Sequence, residues 1–422
     1  MLVEFSVENF LSIRERLSLK LEATSFKEHP ENITRKGKEN ILTTLAIYGA
    51  NASGKTNLFK AMTHAIITIR NSNNIQITNQ LMMVPFKFDE ESYKKPSSFE
   101  FVFIAKDNKK YIYGFSATPF VIIDEYLYVY NSAKATLIFD RTQTTKYKFA
   151  RNYKAEFEVI EKRNTSNKLF LSTATSWNSE ATKPAFEWFA TGIDTYTNIE
   201  EMQLTVLEQY RAEVNKEYTS FALDLLRKAD INISNINIEF REIPVETAKT
   251  NPFGLMFNIG MPTRQIEYKI TTYHKLKDSK GKNKDYPLML NEESLGTQQL
   301  FIFAPLLKQA FSQGRTLVID EIEKSLHPSI VKLIINAFRD KKLNINEGQL
   351  IMTTHQTSVL DLDIFRRDQV YFTEKDFNTG VTDLYSLDKH SIRKTENIEK
   401  NYLQGRYGAI PFAHSEDVIN GR

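Results

Sequence analysis

A chain of 422 residues without a single cysteine can form neither a disulfide nor a thiolate metal site, and a reducing compartment suits it. Its 55 Lys and Arg against 52 Asp and Glu leave a formal charge of +3, which gives little reason to expect bulk nucleic-acid affinity and does not exclude a local basic patch. The acidic, alternating start MLVEFSVENFLSIRE is unlike a signal peptide, and no apolar run approaches a membrane span, so a cytoplasmic protein away from the membrane is expected.

In chain order, LVEFSVENF (2–10) and LSLKLEAT (17–24) predict two short strands. Residues 27–40 are polar and predict a loop, and ILTTLAIYG (41–49) a buried strand. ANASGKTNLFKAMTHAIITI follows as loop and amphipathic helix, and 71–98 reads as irregular. From 99 to 163, aromatic alternation around short turns predicts an antiparallel meander, with FEVIEK as its last piece. Residues 184–230 carry helical spacing, as at Leu204, Leu207, Tyr210 and Val214. Two strands at 231–243 and 266–275 flank a loop at 247–263, and KLKDSKGKNKDY (275–286) reads as a charged hairpin tip. From 287 onward the pattern is α/β: a helix near Leu295, strand TLVIDEI, helix HPSIVKLIINAFRD, strand QLIMTTH, then QVYFTEKD and TDLYSL. This divides the chain into 1–183, a helical insertion or lid at 184–230, and 231–422.

Three stretches carry chemistry. GANASGKT, Gly49 to Thr56, fits G-x-x-x-x-G-K-[ST] between a buried strand and a helix. Gly49 and Gly54 let backbone N–H groups close around phosphates, the helix starting at Lys55 points its positive end at them, Lys55 reaches the β and γ phosphates, and Thr56 offers a hydroxyl to Mg²⁺. TLVIDE ends an apolar strand in Asp320 and Glu321, two carboxylates costly to bury without a cation or donor. Asp320 suits a Mg²⁺ ligand and Glu321 the group that polarises the attacking water. QLIMTTH leaves His355 at the end of another apolar strand, near a γ-phosphate if that strand lies parallel to TLVID. The 264 residues between Lys55 and Asp320 require a large insertion in the nucleotide fold. His327-Pro328 starts a helix, where His327 suits packing or a subunit contact.

Together these stretches resemble the ABC-class ATPases, in the branch shared by SMC proteins, Rad50, RecF and the OLD ATPases. GANASGKTNL resembles the Walker A motif of that branch, which implies nucleotide contacts from Asn51, Ser53 and Asn57 as well. LVIDE resembles Walker B, SLHP the D-loop region, and His355 the switch histidine. ESLGT (293–297) sits where the signature motif sits: Ser294 and Gly296 match, whereas Glu293, Leu295 and Thr297 depart from the pattern. NFLSIRE (9–15) resembles the first turn of RecF and SMC heads, which implies a nucleotide contact from Arg14. Gln80 is the candidate for the glutamine loop. The EIEKSLHP run and the tail NYLQGRYGAIP are similar to the RloA-like abortive-infection AAA ATPases of bacterial phage defence.

The resemblance implies an ABC-type ATPase head with a mainly parallel P-loop core sheet, an antiparallel β lobe and a short helical insertion. It implies ATP and Mg²⁺ as cofactors, and a homodimer or larger homo-oligomer in which Ser294 and Gly296 of one head close over the ATP of the other. It implies a role in antiphage defence with a separately encoded effector protein such as a nuclease. Only 67 residues follow His355, too few for a fused nuclease domain. The alternative is a DNA-binding clamp of the RecF type. The helical block lacks sustained heptads, unlike the long coiled coils of SMC and Rad50. A nucleotide-regulated assembly protein that barely hydrolyses ATP fits Glu321 poorly.

Overall fold

A computed structural model describes residues 1–212, 216–229, 231–244, 264–324, 326–390, 392 and 396–410. The loop expected at 247–263, Val214 of the helical block, Ser325 of SLHP and the final Pro411 of the tail run lie outside these residues. The contacts divide the chain into two units. One comprises Met1–Asn198, Gln309–Lys324 and Pro328–Arg422; the other comprises Ile199–Lys308 and Ser325–His327.

The first unit opens with β1 (Leu2–Glu8) and β2 (Leu17–Lys20), an antiparallel pair. The expected loop at 27–40 is instead largely a hairpin, β3 (Ile33–Lys36) and β4 (Glu39–Leu42), turning at Gly37 with φ +59°. Polar strand residues hid it, because the pair has only Thr34, Ile41 and Leu42 to bury. Next come β5 (Thr44–Gly49), α1 (Lys55–Asn71) and the short α2 (Glu90–Lys94).

The meander follows: β6 (Ser97–Ile104), β7 (Lys110–Ala117), β8 (Ile122–Tyr130), β9 (Ala135–Thr142) and β10 (Lys146–Phe149). With β1 and β2 it makes an antiparallel seven-stranded sheet, ordered β10-β9-β8-β7-β6-β1-β2. Phe99, Phe101 and Phe103 recur at the strand period of two and share one buried face. Phe103 stacks on Trp188 with centroids 4.2 Å apart. FEVIEK does not extend the meander: it lies in helix α3 (Lys154–Glu161). Phe157 and Ile160, three apart, are buried, while Val159, which an alternating strand would bury with Phe157, is 53% exposed. Helices α4 (Phe170–Ser176) and α5 (Lys183–Glu187) follow. The buried Glu125 carboxylate accepts the N–H groups of Phe170 (2.6 Å) and Leu171 (2.9 Å) at the start of α4, and Arg141 lies 3.8 Å away.

Ile193–Tyr196, inside the stretch read as helical, is strand β11. It is too short to show a period and buries against β15 below.

The second unit contains α6 (Ile199–Ala212), α7 (Glu217–Lys228), β12 (Asn235–Pro244), β13 (Arg264–Lys277), β14 (Asn283–Met289) and the first part of α8 (Leu295–Gln313). The three strands form an antiparallel sheet, and KLKDSKGKNKDY is the hairpin tip expected, turning at 278–282. Tyr210 of α6 stacks on Phe301 of α8 at 4.6 Å.

The chain then returns to the first unit with β15 (Thr316–Ile319), α9 (Pro328–Arg339), β16 (Gln349–Thr353), β17 (Val370–Lys375), β18 (Thr382–Ser386) and α10 (Ile398–Leu403). A six-stranded sheet results, ordered β11-β15-β16-β5-β17-β18. Every pairing is parallel except β17 with β18, so the core sheet is mainly parallel as expected. β5, β15 and β16 are buried along their whole length, which explains their unbroken apolar sequence. Among the described residues no helix is long and apolar enough to cross a membrane.

Candidate nucleotide site

The parallel sheet delivers the ends of β5, β15 and β16 side by side, and the chemistry-bearing residues follow those ends. This is where ligands sit in open α/β sheets. Gly49 closes β5. A Cβ there would lie 2.6 Å from the Thr373 carbonyl of β17, so only glycine lets the two backbones approach. Gly54 caps α1 at φ +112°, where a Cβ would meet the Thr382 side chain at 2.2 Å. Its carbonyl accepts from the Leu58 N–H at 3.0 Å, so the loop passes directly into the helix and aims the first N–H groups of α1 at whatever the loop holds.

The Lys55 ammonium donates to the carbonyls of Gly49 (2.8 Å) and Ala50 (3.0 Å) and lies folded over the loop. Burial lowers its pKa to about 8, against the opposing pull of Asp320, Glu321 and Glu323. Three carboxylates therefore share the field of one cation.

Asp320 and Glu321 leave β15 through a turn fixed from β16. The Thr353 hydroxyl donates to Asp320 Oδ1 (2.5 Å) and accepts from the Glu321 N–H (2.8 Å). Glu321 adopts φ +50°, an uncommon conformation for a residue with a Cβ, and its side chain is exposed. Glu323 turns back, and its Oε1 accepts from the His355 N–H at 2.6 Å. Its Oε2 is buried without a partner, as is the hydroxyl of Tyr48 at the end of β5. Burial and the neighbouring Lys55 lower the pKa of His355 while Glu323, Glu321 and Asp320 pull it back, so the imidazole is neutral near pH 7.

The other residues predicted from sequence fall as follows. Arg14 lines a cleft of about 1120 Å³ together with Asn51 and Ser53, and bonds to Glu15 at 3.0 Å. The Ser53 hydroxyl lies 2.6 Å from that of Thr373. The Asn57 amide donates to Ser12 Oγ (2.8 Å), which meets Thr382 Oγ1 at 2.8 Å, so Asn57 ties the NFLSIRE turn to the loop. Thr56, the second residue of α1, is half-buried. Gln80 is exposed in an irregular segment. His327 is exposed just before α9, whose first residue is Pro328.

Ser294 and Gly296 belong to the second unit. Ser294 is the N-cap of α8: its hydroxyl accepts from the Thr297 N–H at 3.2 Å and its carbonyl from the Gln298 N–H at 3.0 Å. Thr297 Oγ1 lies 2.8 Å from Ser294 Oγ, and Leu295 is 68% exposed.

Sequence reasoning missed Thr353, Glu323, Ser12, Thr373 and Thr382. The one available signal was the polar Thr-Thr pair breaking the apolar run of β16 before His355.

Residues 45–361 match the model of the family described as "AAA domain, putative AbiEii toxin, Type IV TA system". Among solved structures, the chain is similar to the Smc head bound to the C-winged helix domain of ScpA, at 12% identity and TM-score 0.37, covering 91% of this chain and 97% of that one. It is also similar to the recombination mediator protein RecF with ATP, at 14% identity and TM-score 0.36, covering 91% and 97%. No curated protein sequence matches it. The family match spans the phosphate loop, the second unit, the Asp-Glu turn and His355, and the chain is an ATPase-type protein that belongs to this AAA domain family.

Proposed function

We propose that the chain binds and hydrolyses ATP, dimerises on it, and uses the ATP state to gate a separately encoded effector in antiphage defence. The observation that carries the catalytic part is the turn after β15, where Thr353 fixes Asp320 and Glu321 beside Lys55 and the loop Gly49–Thr56. Lys55 would leave the loop carbonyls for the β and γ phosphates, and the first N–H groups of α1 would hold the same anion. Thr56 and Asp320 would hold Mg²⁺. Among the described residues no three His, Asp or Glu side chains form a metal cage, and a hydroxyl, one carboxylate and phosphate oxygens are a donor set that suits this ion. When bound, Mg²⁺ would neutralise charge building on the phosphates.

Glu321 would polarise the attacking water, and the neutral His355 would donate one hydrogen bond to the γ-phosphate. Ser294 and the N-terminus of α8 would face the ATP of a second copy, which makes turnover depend on the dimer. The family description supports the defence setting, since it names a toxin system.

Glu321→Gln is expected to retain ATP and slow hydrolysis by about 10²-fold or more. Single-turnover hydrolysis and nucleotide retention measure this, and unchanged turnover removes Glu321 from catalysis. Ser294→Arg is expected to bind ATP normally yet lose hydrolysis. Wild-type turnover in that variant sinks the role across the dimer.

A second reading, a DNA-binding clamp, is favoured by the hairpin tip, where Lys275, Lys277, Lys280, Lys282 and Lys284 stand exposed within ten residues.

A further inference from the structure

Glu293 stands directly before Ser294, at a place where the ATPases it resembles carry an apolar residue. Its side chain is only 7% exposed. A carboxylate so buried is costly unless it is bonded. Its Oε1 takes the Thr272 hydroxyl at 2.5 Å and lies 2.7 Å from His274 Nε2. Thr272 and His274 are two apart on β13 and therefore share one face of the three-stranded sheet. The Glu293 carbonyl accepts from the Gln298 side-chain amide at 2.8 Å, and Ser294 is tied to Thr297 as described. Every residue from Glu293 to Gln298 except Leu295 and Gly296 is thus held by a side-chain hydrogen bond.

We propose that Glu293, His274 and Thr272 are positioning residues for Ser294. The cap at Ser294 fixes its hydroxyl relative to α8. It does not fix the turn relative to the sheet. The pairing of Met289 with Thr271 holds the start of the turn to the sheet, and the buried carboxylate holds its end, because it clamps the residue before the serine to two side chains of β13. Without the clamp the turn 290–294 hinges at the exposed residues on either side of Glu293, and the serine loses its fixed direction. A site that must meet an anion on another molecule needs such pre-organisation, since each freed rotor costs affinity for the closed state. The proposal rests on the role across the dimer given to Ser294 above.

The test uses the full chain. Glu293→Ala and His274→Ala are each expected to lower kcat for ATP at least tenfold, with ATP affinity in the Glu321→Gln background changed less than twofold. Glu293→Gln keeps an oxygen for both donors and is expected to restore most of the loss. Combined with Ser294→Ala, Glu293→Ala is expected to add no further loss, because the clamp acts only through the serine. Wild-type kcat in both alanine variants overturns the proposal, as do losses that multiply with that of Ser294→Ala. If Glu293→Ala does not fold, His274→Gln and Thr272→Val carry the same comparison. Lys55→Ala separates the two levels. Should it hydrolyse ATP normally, the ATPase reading itself fails. Should Lys55→Ala and Ser294→Ala be inactive while the clamp variants are normal, only the clamp fails.

Discussion

The Thr353 hydroxyl gives to Asp320 and takes from Glu321, and with that one oxygen the position of both carboxylates is set. Asp320, Glu321 and His355 were readable because each is a polar residue at the end of an apolar run. Thr353 left only the Thr-Thr pair before His355 as a signal, and its role was hidden, since a single threonine in a strand reads as a β-branched filler until its neighbours are known. Glu323 was hidden for a similar reason: it sits among Glu and Lys residues, and only the fold brings it to the His355 N–H. Away from the site, His64 on α1 stacks on Phe10 at 5.2 Å, and burial lowers its pKa from 6.5 to about 4. The unfolded imidazole takes its proton near 6.5 and the folded one only near 4. Stability from this residue is therefore full above pH 6.5 and falls as the pH drops toward 4, by on the order of 3 kcal/mol. In His64→Leu, urea midpoints between pH 7 and 4 are expected to lose that component of acid sensitivity.

At the scale of elements, the unbroken apolar strands β5, β15 and β16, the alternating meander and the amphipathic α9 were all legible, because an apolar run or a clear period marks each of them. Elements with neither signal were not. β3 and β4 are four residues each with mostly polar side chains, β11 is four residues that meet their partner only at β15, and α3 is two turns long. The phosphate loop shows the same division. Its glycines announced a phosphate loop, but not that Gly54 lies against Thr382 of β18. Gly54→Ala must force φ +112° on a residue with a Cβ and push Thr382 aside. The strain is on the order of 1–3 kcal/mol. ATP binding is expected to be lost, with a lower melting temperature. Thr382→Ala added to it should recover part of the stability, because it removes the two closest clashing atoms, Oγ1 and Cγ2, but neither the remaining Cβ contact at 2.9 Å nor the backbone strain.

At the scale of the molecule, a net charge of +3 conceals uneven placement. Five lysines crowd the β13–β14 hairpin tip, with only Asp278 and Asp285 to offset them, and Asp278 is engaged by the turn N–H groups of Lys280 and Lys282. If the clamp reading holds, DNA affinity falls steeply with salt, and replacing Lys275, Lys277 and Lys284 by Gln flattens the slope of log K against log salt by about 3. If affinity and slope are unchanged, the hairpin is a solvated tip and the effector reading stands alone.

The order of the core sheet also fixes an order in time. β5 lies between β16 and β17, pairing Thr44 with Leu350 and Ala46 with Val370. During synthesis the loop Gly49–Thr56 emerges early, but the strand beneath it has both edges bare until the last quarter of the chain appears. The contacts that shape the loop, Gly49 against Thr373 and Gly54 against Thr382, come from that same late stretch. Such distant pairings are slow to form, and open apolar strands are prone to mispair while they wait. A growing chain therefore carries its phosphate loop as sequence long before it has it as a site, and competence to hold nucleotide arrives only when the second half of the core closes on the first.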